Sequence, residues 1–311
     1  MIVTQKEHRN VFSVFSLCQS LCSFYNIMMF TGNKIKDEIL ADLKPKIASL
    51  PTKPTLAVVW IGDDPVSAKY IEIKKKVAKD LGIDAEVIKL SETISQAEAE
   101  KMIKNIKADG VVIQMPISKS LDRQRLIELI PAGKDVDGLR YCAELDSDYF
   151  PPVALAILEA VKNSGASLIE SRVAIVGQGF LVGAPLAKVL KDQVADLRLA
   201  DDKVKNLSEL TVDADIVISA TGHAGLIKPD MIKEGAVLID AGTTEVGGEL
   251  RGDIDPSAYA KSSFYTPVPG GIGPVTVAML FRNLVASAKP YKELKTSTDI
   301  TSQINTDKIH L

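Results

Sequence analysis

The chain has 311 residues, 46% of them hydrophobic and 25% charged, with a formal net charge of -3, enough to bury a sizeable core and to form two domains. That balance gives no basic footprint for a nucleic-acid partner. Cys18, Cys22 and Cys142 form no CxxC pair and His8, His223 and His310 are scattered, so neither a disulfide framework nor a metal site is indicated and a reducing cytoplasm is the expected setting.

Residues 1–27 read differently from the rest. Lys6, His8 and Arg9 precede an apolar run, Val11–Phe30, broken by Ser13, Ser16, Gln19, Ser20, Ser23 and Asn26 and too polar for a membrane span. A weak signal peptide or anchor is the alternative, but there is no clean small-residue cleavage site. The expectation is a disordered extension ahead of a natural start at Met28 or Met29.

From Thr31 the pattern becomes regular. Helices are predicted over Lys34–Ser49, Asp64–Leu81, Gln96–Ala108 and Leu121–Ile130, and strands over Thr55–Ile61, Ala85–Leu90 and Val111–Met115. Strands alternating with helices imply an α/β fold with parallel pairing and right-handed crossovers.

The Asp64–Leu81 helix has both ends marked: Asp64 as N-cap, Pro65 at its first position and Gly82 as its stop. At ~100° per residue, Val66, Tyr70, Ile73, Val77 and Leu81 form one apolar stripe with Ser67 and Lys74 at its edge. Lys75 and Lys76 rotate towards solvent, whereas Lys74 stands one turn from Tyr70. A lysine beside an apolar wall has its charged form disfavoured, which suits proton transfer, and Tyr70 could orient it or share a proton. The structural alternative is a snorkelling lysine beside a half-buried tyrosine.

A loop, Pro131–Gly138, follows, and Pro151-Pro152 marks a boundary before a helix at Val153–Asn163. A second βαβ series begins at Arg172–Gly177, where Gly177, Gly179 and Gly183 form GxGxxxG at a strand-to-helix turn. Glycines there let a pyrophosphate approach a helix N-terminus, although the spacing departs from GxGxxG and any tight α/β turn also accounts for it. The next strand, Asp196–Ala200, ends in Asp201-Asp202, near the ~20-residue distance at which an acid binds an adenosine ribose. Strands at Ile216–Ala220 and Ala236–Asp240 bring Gly222 and Gly242 to the edge where ligands sit. Gly252–Asp255 reads as a turn, and Tyr265–Thr276, rich in Pro and Gly, as a rigid loop opening a helix to Ala288. Lys289–Leu311 reads as a polar, disordered tail.

Four stretches, Ser67–Ile83, Gly110–Pro116, Lys134–Gly138 and Thr266–Thr276 with the preceding Gly252-Asp253, together resemble the bifunctional methylenetetrahydrofolate dehydrogenase/methenyltetrahydrofolate cyclohydrolase family from about residue 29 to 290. The resemblance implies a folate-binding catalytic domain over 28–148 completed by a helix at 275–290, a Rossmann-type nucleotide-binding domain over 149–274, a cleft between them, a tail at 291–311 and a homodimer. It assigns Lys74 as cyclohydrolase acid/base, Tyr70 beside it, Gln114 as its hydrogen-bond partner, Asp137 as the carboxylate holding the pterin and Ser67 as a nearby hydroxyl. Pro269, Gly270 and Gly271 would complete the tetrahydrofolate site. Gly177, Gln178, Gly179, Gly183, Asp201, Asp202, Gly222 and Thr276 would hold the cofactor.

The cofactor implied by the family is NADP. This chain, however, carries Gly177-Gln178-Gly179 where members usually carry Gly-Arg-Ser, and Asp201-Asp202 where they often carry His-Ser, which points to NAD, with Lys203 and Lys205 still able to reach a phosphate. The family's Pro-Cys-Thr-Pro-x-Gly appears as Pro151–Ala156, without its threonine or glycine, and Arg140 stands where histidine is common. The rival readings are a Rossmann dehydrogenase of another small substrate and a folate-binding homologue with impaired dehydrogenase activity.

Overall fold

The computed structural model describes residues 27–288, so the expectations for residues 1–26 and for the tail lie outside it. A two-residue strand, β1 (Met28–Met29), leads to α1 (Gly32–Ala48), β2 (Thr55–Ile61), α2 (Pro65–Leu81), β3 (Asp84–Leu90), α3 (Gln96–Lys104), β4 (Gly110–Gln114), α4 (Arg123–Glu128), α5 (Leu139–Cys142) and α6 (Pro152–Ser164). Then come β5 (Arg172–Val176), α7 (Gly183–Leu190), β6 (Asp196–Ala200), α8 (Ser208–Thr211), β7 (Ile216–Ser219), β8 (Ala236–Asp240), β9 (Thr244–Val246), β10 (Glu249–Arg251), β11 (Ser262–Tyr265) and α9 (Ile272–Ser287). The chain forms two compact units: within the described residues one comprises 32–162, 180–186 and 272–288, the other 27–31, 163–179 and 187–271. Among the described residues no helix is long and apolar enough to cross a membrane.

The first unit is built on a parallel three-stranded sheet in the order β3-β2-β4. Alternation along β2 and β4 sends Leu56, Val58 and Val112 to one face, against Leu43, Ile71, Ala78, Phe281 and Leu284 of α1, α2 and α9. Val59, Ile61, Val111 and Ile113 go to the other face, against Ala99, Ile103, Leu126 and Ile127. The sheet is apolar on both sides because helices cover both.

The second unit has a six-stranded parallel sheet, β1-β11-β8-β7-β5-β6, with a β9-β10 hairpin beside it in sequence. Met28 and Met29, expected as the start of the catalytic domain, instead pair with Phe264 and Tyr265 at this sheet's edge. Phe30 N–H donates to Tyr265 O at 2.9 Å, and its ring packs on Phe264 with centroids 5.8 Å apart. β11 itself falls where the sequence shows only a short run before a Pro-Gly loop.

The buried face of α2 differs from the predicted stripe. Val66 and Ile73 are 46% and 47% exposed, while Ser67, Ile71, Val77, Ala78 and Leu81 are buried. The face is rotated so that Lys74 lies in its middle, not at its edge. The reason is tertiary: Ser67 is buried because its hydroxyl donates to Met115 O at 3.2 Å, a partner that residue type alone does not reveal. The helix ends are as expected, with Asp64 accepting from Ser67 N and Gly82 left-handed at φ +67. α9 starts at Ile272, three residues before the predicted 275, because Pro274 falls in the first turn, where its missing N–H costs no hydrogen bond.

Two buried carboxylates tie down the loops. Asp135 accepts from Leu139 N at 3.1 Å and Arg140 N at 2.7 Å, capping α5. In the second unit Asp240 accepts from Gly242, Asp253 and Ile254 N–H groups at 3.0, 3.1 and 2.8 Å. Burial pushes Asp135 up to about 7, helped by Asp137 and opposed by its amide donors. Burial likewise pushes Asp240 up to about 7, with Asp253 adding to it. Each folded carboxyl therefore holds a proton that the unfolded chain has already lost. Its contribution to stability is complete below the unfolded value and disappears as pH rises through about 7. Between pH 6 and 8.5 the loss is roughly 1 kcal/mol for each group. Denaturant titrations across that range should show wild-type stability falling with pH, and Asp240→Asn should flatten the fall by about that amount.

Candidate active site

In the first unit, α2 and β4 bring together the predicted acid/base and its partner. Lys74 Nζ donates to Gln114 Oε1 at 2.9 Å, and Gln114 Nε2 donates to Met115 O at 3.0 Å. The Ser67 hydroxyl converges on the same carbonyl, so the end of β4 is held from two sides. Lys74 is half-buried. Desolvation lowers its pKa below the ordinary lysine value, and the charge of Asp137 opposes that lowering. Tyr70, one turn away on the same helix, is half-buried too.

Asp137 sits in a loop fixed at several points. Lys134 Nζ donates to Ala108 O at 2.8 Å, and Gly138 N to Asp135 O at 3.0 Å. From α9, Asn283 Nδ2 donates to Val136 O at 3.0 Å and Phe150 O at 3.1 Å. Gly138, at φ +65, cannot be replaced without strain, because a Cβ there would lie 2.5 Å from Pro151 N. Asp135 and Asn283 are the supporting residues that sequence reading missed. The Asp-Val-Asp spacing was a signal for the first, whereas nothing local marks Asn283.

In the second unit the predicted cofactor residues gather at the C-terminal ends of the sheet strands. Gly177 follows β5 at φ +96, where a Cβ would lie 2.5 Å from Ala220 O, while the space beside Gly179 is open within 4 Å. Gln178 turns back on its own loop, donating to Gly177 O at 3.2 Å. Asp201 and Asp202 follow β6 and are exposed, with Asp201 accepting from Lys203 N at 3.0 Å. Beyond β7, Thr221 N donates to Asp253 Oδ2 at 2.6 Å and Thr244 Oγ1 to Gly222 O at 2.6 Å, which fixes the turn around Gly222. Asp253 Oδ2 also accepts from Ser219 at 2.9 Å, while Oδ1 is buried with no partner among the described residues.

After β11 the chain runs through Pro269, Gly270 and Gly271. A Cβ on Gly271 would lie 2.5 Å from Pro267 O. Gly183 and Thr276 belong to the first unit, and the Thr276 hydroxyl donates back to Ile272 O at 3.0 Å in its own helix. No group of three or more His, Cys, Asp or Glu side chains able to hold a metal ion occurs among the described residues.

Residues 30–137 match the model for the catalytic domain of tetrahydrofolate dehydrogenase/cyclohydrolase, and residues 151–292 match the model for its NAD(P)-binding domain. The chain is 36% identical over 281 residues to the bifunctional protein FolD of a Nitratiruptor species, covering 86% of this chain and 99% of that one. Among solved structures it is similar to the bifunctional enzyme FolD of Campylobacter jejuni, with TM-score 0.79, 32% identity, and coverage of 84% and 98% of the two chains. It is also similar to the Trypanosoma brucei enzyme solved with NADP and an inhibitor, with TM-score 0.78, 27% identity, and coverage of 84% and 97%. With both domain models matched in order and a curated relative spanned almost end to end, this chain belongs to the tetrahydrofolate dehydrogenase/cyclohydrolase family.

Proposed function

We infer that this protein oxidises 5,10-methylenetetrahydrofolate to 5,10-methenyltetrahydrofolate with NAD(P) and hydrolyses the product to 10-formyltetrahydrofolate. The observation that carries the reading is Lys74, half-buried on the inner face of α2 and bound to an uncharged amide, inside the segment that matches the family's catalytic domain. The reading keeps the division into a folate-binding domain, completed by the last helix, and a nucleotide-binding domain, with Met28 and Met29 moved from the first to the second because they pair with β11. A homodimer working in the cytoplasm belongs to it on the family resemblance.

The oxidation asks little of the side chains: the lone pair of a folate nitrogen drives hydride from the methylene carbon, and NAD(P), when bound, supplies the acceptor. Holding the carbon in place is the protein's contribution. Hydrolysis asks more. Water adds to the methenyl carbon and gives up a proton. Ring opening then places a proton on nitrogen and removes one from the hydroxyl to leave the formyl group, with one proton released overall. A neutral amine at Lys74 takes the first proton and its ammonium returns one to nitrogen, which is why a lowered pKa matters. Gln114 holds the amine in place, Tyr70 orients it, and Asp137 anchors the pterin. Ser67 frames the site through Met115, and Pro269, Gly270 and Gly271 offer a rigid edge to the folate.

The turn at Gly177–Gly179 is open beside Gly179 and is where a pyrophosphate is expected to approach the backbone. In our reading Gly222 belongs to the cofactor residues of this unit, the family resemblance adds Gly183 and Thr276 to them, and Asp201 or Asp202 accepts hydrogen bonds from the hydroxyls of an adenosine ribose. The same two acids repel a 2′-phosphate, and Gln178 supplies no charge to hold one. NAD is therefore expected to be used at least as well as NADP. Measured kcat/KM for the two nucleotides should favour NAD or be equal, and a strong NADP preference would refute the assignment. Lys74→Met should lower hydrolysis of methenyltetrahydrofolate by about 10²–10⁴-fold in a folded protein; hydrolysis at the wild-type rate would remove Lys74 from the mechanism.

A further inference from the structure

One side chain beside Gln114, the partner of Lys74, has no part in the chemistry above. Trp60, at the C-terminal end of β2, stands in register between Lys89 on β3 and Gln114 on β4. Registered residues on neighbouring strands leave the sheet on the same side, about 4.8 Å apart, so the three side chains form a row. That side is the face covered by α2, and Trp60 packs against its Ile71 and Ala78 cluster. At one end of the row the Lys89 ammonium lies 3.0 Å from the centre of the Trp60 ring. It is held there by the Gly62 carbonyl and by Asp63 Oδ1, the latter at 2.6 Å. At the other end Gln114 receives Lys74.

The indole Nε1 is buried and has no acceptor among the described residues, so packing and the overlying cation, not a hydrogen bond, set the ring's orientation. We propose that Trp60 is a positioning residue for Lys74: a flat aromatic wall, clamped by Lys89, that keeps water from the face of the sheet where Gln114 receives the ammonium. An indole suits this task because it covers a large area with only two side-chain torsions to fix, and a cation over its face holds it in one orientation.

Asp137, from the loop after α4, favours the ammonium. Lys89 lies across the indole and is occupied by Gly62 and Asp63. α1 and α9 put the apolar Leu43, Ile47, Val277 and Leu280 into this cluster, and the charged Arg282 of α9 is engaged electrostatically with Glu159 and with Asp42 of α1. Exclusion of water is what works against Asp137, and the wall supplies it.

The inference deepens the reading of Lys74 as the acid/base, and its purpose rests on that reading, but its test reads the amine itself. Competitive acetylation with acetic anhydride, quantified at Lys74 by mass spectrometry over pH 6–11, titrates that amine in the whole folded protein. Wild type and Trp60→Phe should titrate alike, below the neighbouring exposed lysines. Trp60→Ala should move the titration up by about one unit, a tenfold loss of neutral amine on the acid side. Should Trp60→Ala not fold, Lys89→Met, which frees the ring, should shift it in the same direction. A folded variant of either kind whose Lys74 titrates as in wild type would overturn the proposal. Folate binding is read separately, by quenching of Trp60, the only tryptophan in the chain, with 5-formyltetrahydrofolate, so a failure there counts against the folate reading and not against this one.

Discussion

An ammonium held at 2.9 Å by an uncharged amide, on a half-buried face, is the interaction on which the site depends. A carboxylate in Gln114's place would favour the charged form and leave a permanent ion pair. The amide satisfies the amine as a hydrogen-bond donor without neutralising its charge, so desolvation decides the direction of the pKa shift, and Asp137 reduces it without reversing it. Everything else in the first unit can be read as fixing the two ends of that bond. The register of β2 with β4 sets Gln114, the capped ends of α2 set Lys74, and Met115 O receives both the Gln114 amide and the Ser67 hydroxyl.

The same approach, a polar group buried to hold a loop, recurs at each site segment. Asp135 orders the residues just after Asp137, and Asn283 fastens that loop from a helix far along the chain. In the second unit, Asp240 and Asp253 bind the loops after β7 and β8 through backbone amides, leaving Gly222 on a fixed turn. A loop anchored this way keeps a reactive or recognising group in place without needing regular structure of its own.

Much of this was legible in the sequence where a local rule decides. Thr55–Ile61, Asp196–Ala200 and Ala236–Asp240 are strands over the predicted residues, and Asp64 and Gly82 bound their helix as capping chemistry requires. What local rules missed depends on contacts made across the fold. The inner face of α2 is turned towards Lys74 because buried Ser67 finds its acceptor just beyond the end of β4. The β9-β10 hairpin had a signal in Gly247-Gly248 between two short runs. β1 and β11, by contrast, are recognisable only as partners of each other and of β8. Lys74 and Tyr70 were marked by helix spacing and given their roles by the family resemblance, whereas Gln114 and Asp137 came from the resemblance alone. Trp60 is a β-type residue in a predicted strand and gives no sign of its neighbours until the register is known.

The pH dependence of kcat/KM for hydrolysis of methenyltetrahydrofolate, corrected for the uncatalysed rate, tests the central claim most directly. If Lys74 acts as a half-desolvated amine, the profile has a limb clearly below the ~10.4 of an unperturbed lysine. A profile whose only break lies at that unperturbed value, or that runs flat through it, would contradict the account.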